Sequence, residues 1–168
     1  MKTMFIFHSY VPYDDKNDHG FLAAMETTDG IPVNVFAEPG SSNDLQDGDT
    51  CEVLVYGVCS DLTVYTSEEQ YRAADTPLDV IAMIPAGTFS PDPENTDFKQ
   101  SPWIIYSGKI IQAQKLEAED ERRPNYFIVV ETLGMTIGAY THFNDEIEPG
   151  YVVHGTAWLY GVIEAKAA

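Results

Sequence analysis

The most regular alternation of apolar and polar positions lies between Asn125 and Ile163. Residues 127–131 are rich in β-branched side chains, and Gly134 breaks the run. Met135, Ile137, Ala139 and Thr141 then alternate with Thr136, Gly138, Tyr140 and His142, the period of two expected of a strand with one buried face. Glu148, Pro149 and Gly150 supply the next turn. From Tyr151, one side of a long final strand offers Val153, Gly155, Ala157, Leu159, Gly161 and Ile163. The other offers Val152, His154, Thr156, Trp158, Tyr160 and Val162. Two glycines on the inner side predict a strand that coils sharply or lies against another backbone.

The first third repeats this pattern in outline. Phe21, Leu22, Ala23, Ala24, Met25, Glu26 and Thr27 match residues 126–132, and each stretch is followed by a turn glycine, Gly30 or Gly134. Ile31, Val33 and Val35 match Met135, Ile137 and Ala139. Residues 45–48 match 147–150 as the loop before a last strand, and Tyr56, Gly57 and Val58 match Tyr160, Gly161 and Val162. Upstream of each copy lies another aromatic and aliphatic strand, at residues 5–7 and 103–106. The pattern predicts a duplicated β unit.

Residues 66–100 differ in character. Thr66 with Glu69 three places later has the form of a capping box, predicting a helix that runs through Tyr71 to about Ala74. Residues 78–84 are an apolar run that fits either a further helical turn or a buried strand. Prolines and polar residues then give turn and loop chemistry up to residue 95. The expected division is an N-terminal β unit over 1–66, a helix and connector over 67–101 and a C-terminal β unit over 102–168.

The chain has 168 residues, 44% apolar, enough for one large or two small cores. Nine basic against 27 acidic residues give a net charge of −18, which repels a phosphate backbone at long range and makes nucleic acid an unfavoured partner. The expected partner is a protein, and the charge favours a basic one. The opening run is interrupted by His8 and falls short of a signal-peptide core, and no later run nears twenty apolar residues, so a cytoplasmic protein without a membrane segment is expected. Cys51 and Cys59 read as members of one strand, roughly 26 Å apart at ~3.3 Å per residue, too far to bridge.

In the second copy, a strand over 104–112, a variable loop, a strand ending at Glu131 to Gly134, a strand over 135–142, a loop reaching Pro149 and Gly150, and a long strand with Gly155 and Gly161 together resemble the OB-fold. This is a five-stranded Greek-key barrel that binds oligonucleotides, oligosaccharides and proteins. Residues 3–66 resemble it more loosely. Residues 84–89 are similar to the connector of uncharacterised bacterial proteins with this layout. The resemblance implies a mainly β protein of two OB-like antiparallel barrel or half-barrel units. Neither copy has an evident helix between its third and fourth strands, which leaves a β-sandwich of shared strands as the alternative.

An OB-like surface implies aromatic binding residues, and Tyr106, Tyr126, Tyr140, Trp158 and Tyr160 are the candidates for one outward face. The one cationic cluster, Lys115, Arg122 and Arg123, is interspersed with Glu117, Glu119, Asp120 and Glu121. His8, His19, His142 and His154 are scattered. His142 and His154 lie near the start and end of facing strands, but two imidazoles without a further ligand do not make a zinc site. Residues 14–18 are acidic but lack the glycine and distal glutamate of a calcium loop. No phosphate-cradling loop or nucleophile elbow occurs. The reading is therefore a non-enzymatic binding or assembly module without metal or cofactor. Its alternatives are an acidic mimic of nucleic acid that blocks a basic channel, and a single-strand or glycan binder using Trp158, Tyr160 and Tyr140. Unpaired edge strands also open a route to a homodimer.

Overall fold

The computed structural model describes residues 2–15, 18–90, 92, 94 and 97–166. The protein is mainly β, with 55% of residues in strands and 4% in one short helix. Among the described residues the elements are β1 (Thr3–Asp15), β2 (Asp18–Thr27), β3 (Pro32–Ala37), β4 (Thr50–Tyr65), α1 (Glu68–Ala73), β5 (Ala82–Ile84), β6 (Trp103–Lys115), β7 (Tyr126–Thr132), β8 (Met135–Thr141) and β9 (Val152–Ala165). No described helix is long and apolar enough to cross a membrane.

Two compact units form, and neither is continuous in sequence. The first is Met1–Val55, Pro85–Ile104 and Leu159–Ala168, and the second is Tyr56–Ile84 and Ile105–Trp158. The helix and the start of the connector thus belong to the second unit, and residues 85–101 to the first. The long strands β4 and β9 each divide between the two.

In the first unit β1 pairs with β2, β2 with β3, β3 with β9, β9 with β4 and β4 with β1, which closes a ring. The β3–β9 pair is parallel, with Phe36 opposite Tyr160, and the β1–β2, β2–β3 and β1–β4 pairs are antiparallel. A bulge at His8 separates the pairs Phe7–Met25 and Ser9–Ala24. At this bulge Phe7 N–H donates to Asp49 O (2.8 Å) and Phe7 O accepts from Gly48 N–H (2.8 Å). Phe5, Phe7, Met25, Val35, Cys51 and Val53 fill the interior.

In the second unit β6 pairs with β7, β7 with β8, β8 with β4, β4 with β9 and β9 with β6; β5 adds to β6 outside this ring. The β8–β4 pair is parallel, with Tyr140 opposite Val58. The bulge falls at Ile111, between the pairs Ile110–Val130 and Gln112–Val129. Ile110 N–H donates to Tyr151 O (2.8 Å) and Ile110 O accepts from Gly150 N–H (2.7 Å). Gly48 and Gly150 hold φ of +93° and +94°, backbone that disfavours a side chain. Ile128, Val130, Ile137, Ala139, Val153 and Ala157 are buried here.

The expected mainly β class and the alternation along the last strand agree with the structure: Val153, Gly155, Ala157, Leu159, Gly161 and Ile163 are all buried. A Cβ on Gly155 would overlap Asp61 O, and one on Gly161 would lie 2.7 Å from Val53 Cγ1. Close backbone approach is thus what these glycines permit. The strands are not all antiparallel as expected, because β3–β9 and β4–β8 run parallel. The helix cap is one residue later than expected: Ser67 Oγ accepts from Gln70 N–H (3.0 Å), and Gln70 Oε1 accepts from Thr66 N–H (2.6 Å). Gln70, three residues after the Ser67 cap, thus bonds the N–H of the residue before the cap, the group expected to meet Glu69. The ambiguous run at 78–84 ends in a strand, β5, and Tyr71 and Val80 pack with Val152.

Candidate binding site

The bulge at His8 decides which side chains line each face of the β1–β2 hairpin. Before the bulge Phe5 and Phe7 point inward. The extra residue shifts the alternation, so Tyr10, opposite Ala23, takes the face of Phe7, and their ring centroids lie 4.9 Å apart. Pro12 and Phe21 are the next pair on that face and Asp14 and His19 the one after.

Tyr10, His19, Phe21 and Phe36, with the loop 37–43, line a cleft of ≈ 450 Å³ in the first unit. Phe21 is 52% exposed at its rim. Tyr10 packs edge-on to Phe21 at 6.4 Å, and its hydroxyl donates to Ser42 O at 2.6 Å. Burial pushes the Tyr10 phenol up, so it remains a donor. Behind the cleft Phe36 lies 5.9 Å from Tyr13 and 5.7 Å from Tyr160. The loop is anchored to β9: Glu38 N–H donates to Gly161 O (2.9 Å), Ser42 N–H to Ile163 O (2.8 Å), and Ile163 N–H to Ser41 Oγ (3.0 Å). This bonding makes one wall rigid in an otherwise irregular segment.

The charged groups nearby are acidic or their partners. His19 Nδ1 sits 2.5 Å from Asp14 Oδ1, and Glu38 lines the cleft. Lys99, in the segment before β6, places its ammonium 4.5 Å from the Tyr13 ring centroid and also donates to Asp14 O. At the bulge His8 bridges two carboxylates, Nδ1 to Asp47 (2.6 Å) and Nε2 to Glu26 (3.3 Å). Its hydrogen bond to Asp47 is the largest cause raising its pKa.

The five aromatic candidates do not share one outward face. Tyr106 is 0% and Tyr126 5% exposed, both on the inner register. Tyr106 Oη contacts Cys59 Sγ at 3.2 Å, and burial holds its phenol well above the ordinary range. Tyr140 is 44% exposed and its ring packs at a tilt of 52° against Phe127, with centroids 5.0 Å apart. Trp158 is half-buried. Tyr160, also half-buried, belongs to the first unit beside Phe36. His142 lines a shallow depression with Lys115, Leu116 and Asn125 that does not include His154. No group of three His, Cys, Asp or Glu that could hold a metal ion occurs among the described residues. In the 14–18 stretch Asp15 pairs with Asp18 across the hairpin end, and Lys16 and Asn17 lie outside the described residues.

Sequence reasoning did not find Tyr10, Phe21 and Phe36 as a group. A bulge interrupts the period of two, so counting alternate residues separates Phe7 from Tyr10. Phe21 was visible only as a member of the repeat. Comparison of the chain with family profiles, with curated proteins and with solved structures finds no match.

Proposed function

We propose that the chain is a non-enzymatic binding module built from two duplicated OB-like units, and that it engages a basic segment of a protein partner at the aromatic cleft of the first unit. The observation that carries the site is the rim-exposed Phe21 in a cleft whose other aromatic walls are held by a bonded loop. Exposed aromatic area on a rigid frame is the usual energetic centre of a protein interface.

The duplication is supported by register. Phe7 and Ile110 carry the same pair of bonds, to Asp49 and Gly48 in one unit and to Tyr151 and Gly150 in the other. Leu22 opposite Phe36 corresponds to Phe127 opposite Tyr140, and Phe36 opposite Tyr160 to Tyr140 opposite Val58. The last correspondence moves the sequence alignment by two residues: Tyr160 matches Val58 rather than Tyr56. Five strands closing a ring is the strand count of an OB unit. β4 would serve as fourth strand of the first unit and fifth of the second, and β9 the reverse.

A cationic partner follows from the charge and the rings. The first unit has four Lys/Arg and 14 Asp/Glu, net −10. Lys99 over Tyr13, which packs against Phe36 outside the lining of the cleft, shows an ammonium accommodated on a neighbouring ring, and such contacts are worth roughly 0.5–2 kcal/mol. The second unit, with five Lys/Arg and 13 Asp/Glu, is net −8. That near-even division argues against an acidic mimic concentrated in one half. The test is co-purification from host lysate at low and at about 0.5 M salt, where screening extends only a few ångströms. A protein partner bound by the wild type and lost by Phe21→Ala is expected. Nucleic acid alone, or a partner indifferent to Phe21→Ala, would overturn the reading.

A further inference from the structure

β3 parts from β2 before β2 is used up. The ladder between them stops at Leu22 opposite Phe36, and Phe21 does not pair with Ala37. From there β3 follows β9 instead: Ala37 lies opposite Gly161, and Glu38 N–H donates to Gly161 O (2.9 Å). The remainder of β2, with Phe21, Gly20 and His19, is paired with β1 alone. These three residues, together with Ala37 and Glu38, line the cleft. The cleft is thus the opening between two diverging strands.

Which backbone groups face that opening follows from register. Thr27 N–H donates to Ile31 O (2.9 Å), and Pro32, which has no N–H, sits opposite Glu26. Bonding in an antiparallel pair alternates from residue to residue, so the odd-numbered residues of β2 turn their N–H and C=O toward β3 and the even-numbered ones toward β1. Pro12 opposite Phe21 agrees with this, since an odd-numbered residue needs no donor from β1. His19 therefore directs both its N–H and its C=O into the opening, where no backbone partner for them occurs among the described residues.

We infer that the basic segment is received as a short added strand, antiparallel to β2, with one of its residues exchanging both backbone bonds with His19. This strand addition rests on the cleft proposed above as the binding site. Extended backbone matches an open strand edge, whereas the amides of a helix are bonded internally. Residues opposite each other share a face, so the side chain of the residue opposite His19 lies with Phe21, Tyr10 and Asp14. A lysine or arginine there meets two rings and a carboxylate. Its neighbours in the segment point to the other face, where Phe36 lies across Gly20, and apolar side chains suit that ring. The occupant is therefore an alternating basic and apolar segment. A second copy of the chain is disfavoured, because each carries a net charge of −18.

The probe is the synthetic peptide acetyl-Val-Lys-Val-Lys-Val-amide added to the ¹⁵N-labelled full chain. Saturable amide shifts at His19, Phe21 and Glu38 are expected. Hydrogen exchange at the His19 amide should slow by about tenfold or more on saturation, and that of Gly20 and Leu22, which face β1, should not change. N-methylation of both lysine amides should weaken binding by about tenfold or more, while N-methylation of the last two valine amides, which face away from β2, should change it by less than about threefold. His19→Pro removes the same donor from the protein, and a strand tolerates proline where its N–H faces outward. Its circular dichroism should match the wild type and its peptide affinity should fall. Equal losses from the two methylation patterns, or binding at Phe21 without protection of the His19 amide, would overturn strand addition and leave the cleft as the binding site. No binding at the cleft would overturn both. Protection of His19 on concentrating the protein without peptide would overturn the assignment to a partner, since the added strand would come from a second copy.

Discussion

The Cα of Gly155 in β9 faces the carbonyl oxygen of Asp61 in β4 so closely that a methyl group there would overlap it. Both residues belong to the second unit, and the contact is made by backbone, which cannot rotate aside. Gly155→Ala should therefore destabilise the fold by about 3 kcal/mol, the upper range for overpacking. Urea denaturation measures this, and an unchanged midpoint would mean that β4 and β9 can separate at that point.

Of the aromatic candidates, Tyr126 is 5% and Tyr140 44% exposed. Tyr126→Ala should cost about 3 kcal/mol, as a large-to-small change in a core does. Tyr140→Ala should cost about 0.5 kcal/mol or less. Equal losses would contradict the inner register assigned to Tyr126.

His8 should make stability depend mildly on pH. Its pKa is raised above 6.5, first by the bond to Asp47 and further by Glu26, against an opposing effect of desolvation. Its contribution is complete below about pH 6.5, the unfolded value, and is lost as pH rises through the higher folded value. All three side chains are substantially exposed, so screening keeps the effect small. The melting temperature should fall slightly between pH 6 and 8 in the wild type, and His8→Gln should remove that slope.

The thiols should be inert in the folded state. Burial pushes Cys51 up to about 11, and burial raises Cys59, whose sulfur contacts the Tyr106 hydroxyl. The thiolate is the reactive form. A disulfide exchange reagent at neutral pH should find no fast thiol in native protein and both cysteines after denaturation. Rapid native labelling of Cys59 would show that the β4–β6 region opens readily.

Much of the fold was legible where alternation is unbroken. β8 and β9 run through regular inward residues, so Met135, Ile137 and Leu159 could be placed from the sequence. The cap at Ser67 was found to within one residue because Ser and Thr are chemically alike there. Parallel pairing was not legible, because Phe36 meets Tyr160 across more than a hundred residues and neither strand carries a mark of its neighbour's direction. The cleft was hidden by the bulge at His8. The aromatic candidates were chosen by type, and strand register places Tyr106 and Tyr126 inside.

Selection of a displayed random-peptide library on the immobilised full chain tests whether the aromatic cleft of the first unit takes a basic protein segment. The expected result is enrichment of peptides with Lys or Arg beside an apolar residue, whose binding shifts the amide signals of Phe21, Phe36 and Glu38 and is lost in Phe21→Ala. Enriched peptides without basic residues, or binding that survives Phe21→Ala, would contradict it.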